Sequence, residues 1–187
     1  MPGLRVVGLS GSALFQDAGR HHVDSGVPVS GAFDRQAHAA ATALVGGVVE
    51  HASLEVLGTI EITVDRPVTC AVTGRATVLV DGRAAPPWTA LEVPAGARIE
   101  VRAEGRGYLS VAGGFQPEPV LGSRSTCLLG PIGPPPVGIG DAVPVARICA
   151  SATAGDFVRV PERRASVRVV PGPWFVGRGP GPWSPGR

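Results

Sequence analysis

Ser53-Leu54-Glu55-Val56-Leu57-Gly58-Thr59-Ile60-Glu61-Ile62-Thr63-Val64 decides the fold. Apolar and polar residues alternate from Ile60 to Val64, the period of a half-buried strand, and Gly58 divides the stretch into two strand-like runs. The same texture continues through Val68–Val72, Ala76–Val80, Leu91–Val93, Arg98–Arg102 and Gly107–Ala112. These runs are short and rich in β-branched residues. They recur about every ten residues with Gly, Pro or Asp between them. Asp81-Gly82 is a hairpin-turn signal. Such spacing predicts a mainly β protein, an antiparallel sandwich or barrel. Ile60-Glu61-Ile62 and Ile99-Glu100-Val101 should each keep one wet face.

Upstream, Leu4–Val7 and Ala13–Phe15 read as two further strands. Arg35 to Val45 is alanine-rich, opens after Asp34 and closes at Gly46-Gly47. Asp34 suits an N-cap and the glycines a C-terminal stop, so this is the one helix the sequence predicts, near the N-terminal end. His38 lies on it without an obvious partner and reads as a surface residue. Downstream, Gly130–Pro136 is a loop, and Ala142–Ala146 is a candidate edge strand because its proline cannot donate to a ladder. Ser151–Gly155 reads as a linker and Val167–Val170 as one more strand. Pro171 to Arg187 is a Pro-, Gly-, Trp- and Arg-rich tail that cannot build a core alone.

Composition narrows the function. The chain has 187 residues, 44% of them hydrophobic, and a net charge of +2 in which every basic residue is arginine. No basic stripe with interleaved aromatics argues for nucleic acid. Cys70, Cys127 and Cys149 lack metal spacing and predict free thiols in a reducing cytoplasm, with Cys70 a core residue. Neither a signal peptide nor a membrane-length apolar run is seen. His21-His22 would point to opposite faces of a strand, which argues against joint ligation of one metal. No nucleophile elbow, P-loop or dinucleotide glycine pattern occurs.

Chemistry concentrates in two stretches. Phe15-Gln16-Asp17-Ala18-Gly19-Arg20, followed by Gly26-Val27-Pro28-Val29-Ser30-Gly31-Ala32-Phe33-Asp34, combines carboxylates, an arginine and glycines at a strand-to-helix passage. Asp17 and Arg20 form either a site or an ion pair that pins a turn. Leu121-Gly122-Ser123-Arg124-Ser125-Thr126 offers hydroxyls, backbone N–H groups and a guanidinium. It suits a carboxylate or phosphate, or else caps its own backbone. A sheet that brings these loops to one rim favours a site.

In order and spacing these stretches resemble the biotin-dependent carboxyltransferase, or allophanate hydrolase subunit 2, family. Pro2-Gly3-Leu4, Ala43-Leu44-Val45-Gly46, Leu54-Glu55, Tyr108–Gly114 and Gly140-Asp141 complete the likeness, which runs from residue 2 to about 148. This chain departs from the family at Thr42 and Gly47, where asparagines are usual, and at Gly58-Thr59, where Gly-Pro is usual. The resemblance implies a cyclophilin-like β-barrel over residues 1–148. Residues 149–187 would then hold a linker, the opening of a missing second barrel portion and the low-complexity tail, as in a truncated product. It further implies a cytoplasmic subunit of an ATP-dependent 5-oxoprolinase-type complex that opens a small cyclic amide to glutamate. The expected partner is a KipI-like, allophanate hydrolase subunit 1-like protein. The alternatives are a non-catalytic KipA-like regulator of an inhibitor protein, a biotin-dependent carboxyltransferase portion acting on urea or a related amide, and an inactive remnant. In the catalytic reading, Asp17, Arg20 and Arg124 are the catalytic candidates. Ser30, Gly31, Asp34, Ser123, Ser125 and Thr126 are the substrate-binding candidates, and no metal ligands are expected.

Overall fold

The computed structural model describes residues 3–21, 26–146 and 155–161. Seven strands and one helix follow in the order β1 (Leu4–Gln16), α1 (Arg35–Leu44), β2 (Ser53–Val64), β3 (Val68–Val80), β4 (Arg83–Ala85), β5 (Ala90–Val93), β6 (Arg98–Val111) and β7 (Ala142–Val143). Every pairing is antiparallel. The sheet order is β4-β3-β6-β2-β1-β7, with β5 also pairing β3. The mainly β architecture with one helix near its N-terminal end is as expected. Among the described residues the sheet stays open, because β4 and β7 at its two ends do not pair.

The short runs of the sequence are halves of long strands. Leu4–Val7 and Ala13–Phe15 belong to one strand of 13 residues, and Gly58 lies inside β2 rather than between two strands. Gly74 likewise lies inside β3. Glycine can take a positive φ within a ladder, so an interruption of the side-chain pattern need not end the strand. In β6 the residues 104–106 oppose only Leu57 of β2 and Arg75 of β3, because Gly58 and Ala76 both pair with Ala103 while Val56 and Gly74 both pair with Gly107. A bulge of two extra residues preserves the inward parity on either side of it. Ile99, Val101, Leu109 and Val111 therefore share one face with Leu54, Val56, Ile60, Ile62, Cys70, Val72 and Val78. In β1, the irregularity between Val6 and Gly8 switches parity, so Leu4 and Val6 precede it inward while Ala13 and Phe15 follow it inward. This face is the main core. Each fully buried aliphatic side chain contributes about 1.5–3 kcal/mol.

The opposite face of β3 and β6 carries α1. Small residues permit a close approach: Ala37 and Ala41 pack with Tyr108 and Trp88, while Leu44 and Val45 pack with Ala71 and Ala112. Thr73 Oγ1 donates to the Ala37 carbonyl at 2.7 Å. Asp34 caps the helix as expected, its Oδ1 accepting from the Ala37 N–H at 3.0 Å. His38 is a correction. It is only 2% exposed, with Nδ1 2.7 Å from Ser53 Oγ and Nε2 2.8 Å from the Val49 carbonyl. A carbonyl only accepts, so Nε2 carries a proton. The partners come from the β2 entry, which a reading of the helix alone does not bring into view.

Cys70 is buried in the core, and burial pushes its thiol up to about 12. The edge strand at 142–143 pairs with β1. Residues 155–161 run beside β5: Ala90 N–H donates to the Asp156 carbonyl and Val158 N–H to the Trp88 carbonyl. His22, most of the linker, the strand expected at Val167–Val170 and the tail lie outside the described residues. Among the described residues no helix is long and apolar enough to cross a membrane.

Candidate functional site

β1 delivers Gln16 and Asp17 to the sheet rim, and three loops meet there. Asp17 is 5% exposed. Its Oδ1 accepts from the Gly19 N–H at 2.8 Å, from Ser123 Oγ at 2.7 Å and from Ser125 Oγ, while Oδ2 accepts from the Arg124 N–H at 2.6 Å. The Asp17 carbonyl accepts from the Ala32 N–H at 3.0 Å. One residue thus ties together the 17–20 turn, the 29–32 segment and the 123–125 loop. Burial alone would raise the carboxyl, but the hydrogen bonds from Ser125, Arg124, Ser123 and Gly19 outweigh it and hold the group below its usual range. Asp17 is therefore an ionised acceptor, with three donors on Oδ1 and one on Oδ2.

The Asp17–Arg20 ion pair entertained from the sequence does not form, since the Asp17 carboxylate takes its four donors elsewhere. Arg20 is 2% exposed. Its backbone N–H donates to the Val29 carbonyl at 2.8 Å and its Nη2 to the Ser125 carbonyl at 2.7 Å. Nε and Nη1 are buried with no partner among the described residues, and the same holds for Arg124 Nε, Gln16 Oε1 and Thr126 Oγ1. Gln16 Nε2 donates to the Thr126 carbonyl at 3.2 Å, and the Thr126 N–H donates to the Phe15 carbonyl at 2.8 Å. Ser30 takes φ 56° and Gly31 φ 86°, and the Gly31 backbone abuts Gly19. Asp17, Arg20, Ser30, Gly31, Ser123, Arg124, Ser125 and Thr126 thus gather at one rim.

Asp34 does not join them. It serves a second polar group, in which its backbone N–H donates to Tyr108 Oη at 2.7 Å and Tyr108 donates in turn to Glu55 Oε2 at 2.7 Å. Glu55, 3% exposed, also accepts from the Phe33 N–H at 3.0 Å and from Arg106 Nε at 3.0 Å. The Arg106 guanidinium lies 4.1 Å from the Phe33 ring centroid. Burial and the neighbouring Glu55 carboxylate push the Tyr108 phenol well above its ordinary value, so it remains a donor. This group fixes the exit of the 26–34 loop. Tyr108→Phe should cost about 1–3 kcal/mol, because it leaves the Asp34 N–H and one Glu55 lone pair short of a partner. Urea denaturation tests this, and an unchanged midpoint would contradict it. Sequence reasoning passed over Gln16 and Glu55 as site residues. The available signal was a polar or charged side chain inside an apolar strand run.

The family model described as "Carboxyltransferase domain, subdomain A and B" matches residues 25–177. The chain belongs to this carboxyltransferase-domain family. It is 30% identical to a 5-oxoprolinase subunit of Escherichia coli (strain K12), over 92% of this chain and 58% of that protein. The chain thus spans little more than half the length of that curated relative, whose name marks it as one member of an assembly. The crystal structure of TTHA0988 superposes with a TM-score of 0.82 at 31% identity, over 94% of this chain and 69% of that one. The Kluyveromyces lactis urea carboxylase superposes with a TM-score of 0.74 at 26% identity, over 83% of this chain and 15% of that one.

Proposed function

We propose that this chain is part of a 5-oxoprolinase-type complex, which opens a small cyclic amide bearing a carboxylate, and that the Asp17 rim binds that amide. The observation carrying the reading is the set of unpartnered buried polar atoms. Five of the seven such atoms among the described residues belong to Gln16, Arg20, Arg124 and Thr126. Burying a guanidinium without a counter-charge is costly, so a bound anion relieves it. The unpartnered Arg20 nitrogens suit a carboxylate, and Gln16 Oε1 suits an amide N–H. 5-Oxoproline carries both groups, whereas urea lacks the carboxylate.

In this reading Arg20 holds the carboxylate, Gln16 orients the lactam N–H, and Arg124 stabilises the oxyanion that develops as water adds to the carbonyl. Asp17 positions the Ser123–Ser125 loop rather than acting as base, since the hydrogen bonds that hold its carboxyl below the usual range make it a weak proton acceptor. Ser123 and Ser125 are spent on that carboxylate, and Ser30 borders the site from the opposite loop. ATP hydrolysis supplies the driving force. In this reading the nucleotide belongs to a KipI-like partner subunit.

The test is ATP-dependent glutamate release by the chain co-purified with its partner subunits. Arg124→Ala should lower kcat/KM for 5-oxoproline about 10- to 150-fold, the value of a charge-assisted hydrogen bond of about 1.5–3 kcal/mol. Arg20→Gln should erase discrimination between 5-oxoproline and 2-pyrrolidinone, which lacks the carboxylate. Near-normal kinetics in both variants would remove these arginines from the mechanism.

A further inference from the structure

A cavity of about 330 Å³ lies between the start of α1, the bulged middle of β3 and β6, and the end of the 155–161 segment. None of the residues gathered at the Asp17 rim lines it. Arg106 enters from the β6 bulge. Its Nε donates to Glu55 Oε1 at 3.0 Å and its guanidinium lies 4.1 Å from the Phe33 ring centroid, so a carboxylate and a ring together set its position. Its two Nη groups take no hydrogen-bond partner among the described residues. Arg75 brings a second guanidinium, whose Nη2 stands 3.5 Å from Glu104 Oε2. Phe33 keeps its ring exposed at the mouth while its N–H is tied to Glu55. Trp88 has a φ of 59°, an outlier for so bulky a residue. Three hydrogen bonds impose it: Trp88 N–H donates to the Val72 carbonyl at 2.7 Å, Nε1 to the Gly74 carbonyl at 3.3 Å, and the Trp88 carbonyl accepts from the Val158 N–H at 3.0 Å. Strain held in this way clusters at ligand sites. The nearby carboxylates are all engaged. Glu55 is buried and takes three donors, Asp34 Oδ1 caps the Ala37 N–H, and Glu104 pairs with Arg75.

We propose that this cavity is a second binding site, for a planar aromatic carboxylate. The carboxylate meets the Arg106 and Arg75 guanidinium groups, whose forked donors match its geometry. The ring packs against Phe33, with Trp88 as the inner wall. Gln36, exposed on the first turn of α1, lines the mouth and can donate an amide N–H to the same carboxylate. The positive end of α1 adds to the attraction. The volume is at the lower end of small-ligand pockets, about 300–1,000 Å³, which limits the ligand to one or two fused rings. The inference does not rest on the proposed reaction, since the two sites share no lining residue.

Isothermal titration calorimetry of the full chain with 2-naphthoate tests it, with 2-naphthamide as a neutral analogue of the same shape. At low ionic strength 2-naphthoate should bind with a Kd of about 1 mM or tighter, an ordinary efficiency for a ligand of this size. 2-Naphthamide should bind about tenfold more weakly, the value of one charge-assisted hydrogen bond, and Arg106→Gln should weaken 2-naphthoate by a similar factor. Gln36→Glu sets a like charge at the mouth and should weaken it about fivefold. Glutamate suits the first turn of a helix, so this variant keeps the fold and decides alone if Arg106→Gln does not fold. Folded Arg20→Gln should bind 2-naphthoate as wild type does. Absence of saturable binding, equal affinity for acid and amide, or an unchanged affinity in Gln36→Glu overturns the proposal. Loss of binding in folded Arg20→Gln also overturns it, because the acid would then sit at the Asp17 rim. The readout needs no catalysis, so failure to turn over 5-oxoproline leaves the proposal standing, and its own failure leaves the reaction testable.

Discussion

Asp17→Ala should lose about 3–5 kcal/mol of stability, a large fraction of the roughly 5–15 kcal/mol that holds a domain together. Four donors converge on the carboxylate: the Gly19 and Arg124 N–H groups and the Ser123 and Ser125 hydroxyls. Each buried donor left unmet costs about 1–3 kcal/mol, and partial rehydration of the loops keeps the total below the simple sum. Asp17→Asn should fall between wild type and alanine, because one amide end presents N–H where an acceptor is required. For a chain of this size a loss of 3 kcal/mol lowers Tm by about 6–12 °C. Urea denaturation measures the difference. A change within about 0.5 kcal/mol, the range of ordinary surface substitutions, would show that the loops are held by something else.

The same carboxylate gives the stability a pH signature. Its folded pKa lies below the ordinary aspartate value of 3.8. Its contribution is therefore complete above the unfolded value and is lost as pH falls through the folded value. The gap between wild type and Asp17→Asn should be constant near neutrality and shrink below about pH 4. A gap that grows on acidification would reverse the assignment of Asp17 as an ionised acceptor.

Much of this architecture is legible in the sequence, and the reason is local. Alternation in Ile60–Val64 and Arg98–Arg102 fixes which side of a strand faces inward, and Asp81-Gly82 turns with φ 50° and 76°, both central residues left-handed as a tight hairpin demands. Asp34 and Gly46 mark the helix ends because capping is a property of neighbouring residues. What the sequence hides is long-range. Gly58 and Gly74 read as breaks because a bulge and a turn use the same residue, and only the partner strand tells them apart. Arg20 stands three residues from Asp17 in the chain, yet the two do not pair. Asp17 is claimed by residues more than a hundred positions later, and the guanidinium turns to the Ser125 carbonyl. His38 and Glu55 are obscured for the same reason, since their partners come from other elements. The meeting of the 17–20, 29–32 and 123–126 loops is a tertiary fact that no single motif contains.

Gly58→Ala is expected to be as damaging as loss of Asp17, although it adds one methyl group. Gly58 and Gly11 face each other across the β1–β2 ladder with φ of 92° and 106°. A Cβ on Gly58 would stand 2.1 Å from the Ser10 carbonyl oxygen, and one on Gly11 would stand 2.0 Å from that of Leu57. Both obstacles are backbone, so no rotamer change relieves them. The left-handed backbone costs an L-residue about 1–2 kcal/mol, and forced overpacking typically adds about 1–3 kcal/mol. The loss should therefore be about 2–5 kcal/mol. Gly82→Ala supplies the comparison, since its φ is 76° but a Cβ there meets nothing within 4 Å. It should pay the backbone cost alone. Urea midpoints for the two variants separate the contributions. If Gly58→Ala is no worse than Gly82→Ala, the two strands have room to part at this point. The close approach of Gly11 and Gly58 would then not be a constraint on the β1–β2 ladder.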